Sequence, residues 1–325
     1  MVANDSQGVS RRQFLHGVAA AGAHRLGVRF QPGWTIEALH LDGGRIEAAS
    51  ARDMTGRTAT ISADWFLCAM PAERAVTLLS QEVLAAAPRL ASIGRLRTDW
   101  MNGVMFYLRG PTPITHGHAS YIDSPWALTS ISQAQFWAGD FAGAYGDGAA
   151  ADCLSTIISD WETPGIVFNK PARDCTPEQI AVEVWEQMKA HLNDTGRTVL
   201  TDDLVLRWFL DPGIVGSGTR EVTNDEPLFI QNTGSWDDRP DAATAIPNLF
   251  LAADYVRTHI NVTTMEGANE AARRAVNALL DQAGSNEAHA PRWNLYRPPE
   301  FEPWKRLDAQ RWRRHQPNVF DTDES

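Results

Sequence analysis

The run Leu249-Phe250-Leu251-Ala252-Ala253-Asp254-Tyr255, followed after a loop by Thr264-Met265-Glu266-Gly267-Ala268, decides how this chain is read. The first stretch is short, continuously apolar and introduced by Ile246-Pro247-Asn248, the form of a strand covered on both faces in a parallel sheet. It ends in a carboxylate. The second stretch opens an Ala-rich helix expected to run from Met265 or Glu266 to about Gln282. A helix N-terminus carries free N–H groups and positive dipole, and a glycine there permits close approach, so the crevice suits an electron-rich ligand edge. An ordinary strand-to-helix connection is the competing reading.

Outward from this unit, Trp65-Phe66-Leu67-Cys68-Ala69-Met70, stopped by Pro71, has the same character, a strand buried on both faces. Before it, short alternating runs punctuated by Pro32-Gly33, Asp42-Gly43-Gly44 and Thr55-Gly56-Arg57 predict a β-meander from about Leu26 to Ser62. Helices are expected over Ala72 to Leu79 and Gln81 to Ala87. Thr176-Pro177-Glu178-Gln179 supplies a cap, a first-turn proline and a capping-box partner, so a helix should follow to about Leu192. The Gly-, Pro- and aromatic-rich sequence up to Gly148 carries no legible period.

Composition limits the function. With 43% hydrophobic and 21% charged residues among 325, the chain falls in the ordinary globular range rather than the disordered or fibrous one. A formal net charge of −11 argues against nucleic acid as a partner, and any anionic ligand would need a local basic patch. Cys68, Cys153 and Cys175 are too far apart for a CxxC pair and odd in number, so buried, idle thiols are expected. No apolar run reaches the ~18 residues of a spanning helix. Ser10-Arg11-Arg12-Gln13-Phe14-Leu15, followed by Gly17 to Ala23, has the form of a twin-arginine export signal; a basic N-terminal helix is the competing reading. The expected location is cytoplasmic with peripheral membrane contact, and export is the alternative.

The strand, loop and helix around Asp254 and Met265 resemble the C-terminal flavin signature of the FAD-dependent amine oxidase and phytoene desaturase superfamily. Trp65 to Pro71 resembles that family's re-entering strand, and the meander its small β-layer. Arg97 to Asn102, Asp123 to Leu128 and Phe301-Glu302-Pro303 are similar to bacterial hydroxysqualene dehydroxylase-type proteins. The resemblance implies an FAD cofactor, with Asp254 facing its ribityl and pyrophosphate region. The N–H groups of Met265, Glu266 and Gly267, within Thr264 to Ala268, would approach the pyrimidine edge. It implies a hydride exchange between flavin and an apolar, isoprenoid-type substrate, with no acid or base assigned. Two departures stand out: Ala271-Ala272 replaces the family's Ser-Gly, and no GxGxxG unit precedes Leu26. A partner chain or self-association, or a non-catalytic isoprenoid-binding remnant, is therefore the alternative.

The expected fold class is α/β. A partial FAD-binding (Rossmann-like) sheet with its β-meander would come from residues 26–71 and 246–283. A mixed α+β substrate domain (72–245) would interrupt it, between an N-terminal segment (1–25) and a C-terminal tail (284–325) packed across the sheet. Gly213, Gly216 and Gly218 imitate a phosphate loop but lead into no Ala-rich helix, and His116-Gly117-His118 lacks a third metal ligand nearby. Trp100, Trp126, Trp137 and Trp161 suit an apolar tunnel or a plain core. In the tail, Phe301, Trp304, Leu307 and Trp312 alternate with Lys305, Arg306, Arg311, Arg313 and Arg314, a combination that suits a membrane interface or a strap packed on the sheet.

Overall fold

A computed structural model describes residues 28–319 apart from 113, 145 and 195. The twin-arginine-like segment and the first residues of the expected meander lie outside the described residues. The fold mixes helix and sheet around two hydrophobic cores.

The meander forms as expected, with antiparallel strands Trp34–Asp42, Arg45–Asp53 and Thr58–Ser62 in that order. The middle strand turns Ile46, Ala48 and Ala51 inward. Asn248 fixes this layer to the rest: its Oδ1 accepts from the Ile46 N–H at 2.9 Å and its Nδ2 donates to the Ile46 carbonyl at 2.8 Å. A buried amide thus substitutes for two missing ladder bonds and sets the height of the Leu249 strand against the meander.

Phe66–Cys68 pairs in parallel with Leu249–Leu251, register Phe66 to Leu249. Leu249–Leu251 is buried throughout and has a neighbour on each side, the second being the bridge from Ala243 to Phe250. Phe66–Cys68 corrects the expectation of a strand covered on both faces. Leu67 is 43% exposed and Phe66 and Cys68 are only half-buried. The physical reason is pairing on one edge only: among the described residues this parallel sheet has two strands, and nothing packs over Leu67. The helix Met265–Gln282 covers the pair, burying Gly267, Ala271 and Ala275.

The second core belongs to a five-stranded antiparallel sheet, ordered Val205–Leu210, Gly103–Leu108, Asp152–Ile157, Thr129–Ser132, Ala119–Ser120. Val104, Phe106 and Leu108 show the period of two and meet the helix Pro177–Leu192. That helix begins as expected, with the Thr176 and Gln179 side chains bonding each other's backbone N–H. Glu183, fully buried on it, accepts backbone N–H groups of Val167 at 2.9 Å and Phe168 at 3.1 Å and the Gln187 amide at 3.0 Å. The first core also takes in Val83, Leu90, Ile93 and Phe229. These residues, from the segment 72–245, thus pack in one core with the strand Leu249–Leu251.

Candidate functional site

The carboxyl ends of the two parallel strands, Cys68 and Leu251, bring together the chain at Asp254 and the first turn of Met265–Gln282. Thr264 is extended (φ −144°, ψ 162°) and caps the helix: its Oγ1 accepts from the Gly267 N–H at 3.1 Å and its carbonyl from Ala268 at 3.1 Å. A helix leaves its first N–H groups without intrahelical partners. Here Thr264 takes those of Gly267 and Ala268, which leaves Met265 and Glu266 as free donors, both at exposed residues. Of the three N–H groups expected to approach a ligand, that of Gly267 is bonded to the Thr264 hydroxyl. Its own role lies beneath the helix: a Cβ there would stand 3.2 Å from the Val262 carbonyl, so glycine lets the loop fold under the first turn.

Asp254 is partly buried, and burial pushes its carboxyl above the ordinary carboxylate value, against the pull of nearby backbone N–H groups and the Arg239 charge. Next to it Tyr255 is wholly buried; its hydroxyl has no nitrogen or oxygen partner and faces the Cys68 thiol, and burial raises both groups.

Arg239 was not found from sequence. It is wholly buried, and its guanidinium donates to the carbonyls of Asp254 (2.8 Å), Tyr255 (3.2 Å) and Val256 (2.6 Å) and to Asn261 Oδ1 (2.7 Å). One cation therefore holds both ends of the loop between strand and helix. Burial lowers its pKa from the ordinary guanidinium value. Within Asp237-Asp238-Arg239-Pro240 it follows no motif, so no local signal pointed to it. Further along, Glu270 accepts from the His259 N–H at 3.1 Å and pairs with Arg274 at 2.7 Å, closing the loop onto the helix.

The remaining sequence candidates sit elsewhere. Gly216 and Gly218, at positive φ, turn the hairpin between Ile214–Val215 and Thr223–Asn224, with no helix behind them to hold a phosphate. The His116 ring packs on Phe136, and among the described residues no group of three metal-ligating side chains occurs. Trp126 and Trp161 are core residues whose indole N–H groups donate to the Thr163 and Ile158 carbonyls. Burial pushes Cys153 up to about 12 and Cys175 up to about 11, which leaves inert thiols. No helix of the described residues is long and apolar enough to cross a membrane.

Residues 12–280 match the family of flavin-containing amine oxidoreductases. Two solved structures are similar: an oxidoreductase from Methanosarcina mazei (14% identity, 79% of this chain and 51% of that one, TM-score 0.43), and a glycerol-3-phosphate dehydrogenase from Bacillus halodurans complexed with FAD (14%, 86% and 44%, TM-score 0.39). This chain spans about half the length of each. No curated protein matches it. The matched residues contain the whole unit from Leu249 to the helix at Met265, and the chain belongs to the flavin-containing amine oxidoreductase family, whose members are FAD-dependent oxidoreductases.

Proposed function

We propose that this chain forms the flavin-edge half of an FAD-dependent oxidoreductase acting on an apolar, isoprenoid-type substrate, in the manner of desaturases and dehydroxylases. The observation that carries this reading is the pair of N–H donors at Met265 and Glu266, without acceptors among the described residues, beside Asp254 in the loop that follows the strand Leu249–Leu251. The donor set fits the cofactor: the pyrimidine edge is rich in acceptors, and these donors stand at the positive end of an 18-residue helix. When bound, the flavin would exchange a hydride with the substrate, taking it in a desaturation and giving it in a dehydroxylation. The chain's own part is to hold that edge with Met265 and Glu266, to keep the loop in place with Arg239, and to present Asp254 toward the ribityl chain.

Two further readings follow from the surface. The half-exposed strand Phe66–Cys68 has an edge with no partner strand among the described residues, which supports a unit pairing there, from a partner chain or a further stretch, to hold the dinucleotide half of FAD. The exposed aromatics of the tail support peripheral contact with a membrane, from which an apolar substrate would be collected.

Titration of the purified chain with FAD, followed by flavin fluorescence, tests the reading. Binding is expected to be weak and to fall further in Gly267→Val, which displaces the loop at Val262 and with it the first turn. Full retention of FAD by a folded Gly267→Val variant would overturn the placement. Anaerobic bleaching of the flavin by a polyprenyl substrate, and not by a simple amine, supports the substrate class; the reverse result overturns it.

A further inference from the structure

On the flank of the helix Met265–Gln282 a polar groove opens beneath a strap formed by residues 289–297. Asn277, buried on the helix, holds the strap by exchanging two hydrogen bonds with the Ala290 backbone, at 2.8 and 3.0 Å. Arg273 adds a third to the Pro291 carbonyl and lies over the Trp293 ring. The groove has two adjoining chambers, of about 350 Å³ and about 180 Å³, which share His259 as a wall. The larger falls within the ~300–1,000 Å³ typical of small-molecule sites.

The walls are strongly cationic for a protein of net charge −11. Arg292 and His289 line the larger chamber; Arg257, Arg274 and Arg297 line the smaller, with Asp241 as its one acidic wall. Arg274 is neutralised by Glu270 and His289 is paired with Asp281. The others are not so matched. Among the described residues Arg257, Arg292 and Arg297 form no ion pair, although Glu302 feels the Arg297 charge. Arg257 lies over the Trp236 ring and donates to the Trp236 carbonyl, but its Nε is buried with no partner at all. A buried guanidinium N–H without an acceptor is costly, and one supplied by a ligand would remove that cost.

We propose that this groove binds a small soluble molecule bearing a diphosphate or two neighbouring phosphate groups. Three unmatched guanidinium groups need more than one negative charge to balance them, and the fork geometry of arginine matches phosphate oxygens. Two chambers meeting at His259 suit two linked anionic groups rather than one. The groove lies farther along the helix than the donor at Met265, with Arg274 nine residues or about 14 Å away, while Arg257 and His259 line it from the loop that begins near Asp254. The inference does not rest on the flavin reading.

Calorimetric titration of the full chain with inorganic pyrophosphate at low salt tests the proposal. Arg292 and Arg297 are exposed, so Arg292→Gln/Arg297→Gln should fold as the parent does, which a thermal melt verifies. It is expected to weaken pyrophosphate binding at least about tenfold. Arg313→Gln/Arg314→Gln removes the same charge from the end of the tail helix Glu302–Arg313 and the residue after it, and should leave binding unchanged. Absence of binding by the parent, or equal weakening by both pairs, would overturn the site. Competition by FAD would assign the groove to the cofactor, and displacement by phosphatidic acid vesicles would assign it to a lipid headgroup; either overturns the proposal.

Discussion

Arg239 is the side chain on which the loop between Leu251 and Met265 depends. Its four acceptors come from both limbs of the loop, and without it three carbonyl oxygens and an amide lose a charged donor in the interior. Arg239→Met keeps the volume of the stem and is expected to lower stability by about 3 kcal/mol, read as a shift of the urea midpoint. An unchanged midpoint would show that water replaces the guanidinium. Asp254 acts in the opposite sense. Its folded-state pKa is raised above the unfolded value, so it favours folding fully below the unfolded pKa and progressively less as pH rises through the folded one. Asp254→Asn cannot ionise, so at pH 7 it should be more stable than the parent. The difference should vanish below about pH 4, near the ordinary value for aspartate. A variant less stable at pH 7 would mean that the carboxylate's hydrogen bonds outweigh its burial.

The elements differ in how far their residues announced them. The helix Pro177–Leu192 was fully legible because its start signal is local: Thr176 and Gln179 need only each other. Thr176→Ala is expected to cost about 1 kcal/mol of stability, measured by thermal unfolding, and a change near zero would show that Gln179 and Pro177 suffice. The helix Met265–Gln282 was legible from its Ala-rich run, as were the turns of the meander from their glycines, whereas the Thr264 cap emerged only in the structure. What the sequence left hidden depends on neighbours. The apolar run at Trp65–Met70 says that a strand wants cover, not whether cover is present, and Leu67 has none among the described residues. The five-stranded sheet draws short strands from between residues 103 and 210, whose pairing is decided by distant partners such as Trp208 opposite Phe106. At the candidate site, Asp254 and the opening of the helix at Met265 were readable from chain order, whereas Arg239 reaches the loop from a separate segment and obeys no spacing.

At the scale of the whole molecule, this acidic chain gathers basic residues in the groove at Arg257 and Arg292 and again in the tail helix Glu302–Arg313. That helix buries none of its residues, so the alternative in which it packs its aromatics on the sheet is not the arrangement found. Trp312 is 79% exposed and Phe301, Trp304 and Leu307 are exposed with it, interleaved with Lys305, Arg306, Arg311, Arg313 and Arg314. Lys305 is partly spent on Glu302 at 2.8 Å, and Asp308 dilutes the rest. On an anionic surface the remaining arginines would contribute about 1 kcal/mol each, added to the burial of two indoles at headgroup depth. A chain ending at Pro298 keeps the strap and groove but lacks this helix. Sedimentation with phosphatidylserine vesicles at low salt should therefore pellet the full chain and leave the shortened one in solution, with the difference shrinking as salt screens the arginines. Equal pelleting of the two would remove the tail helix as the membrane contact.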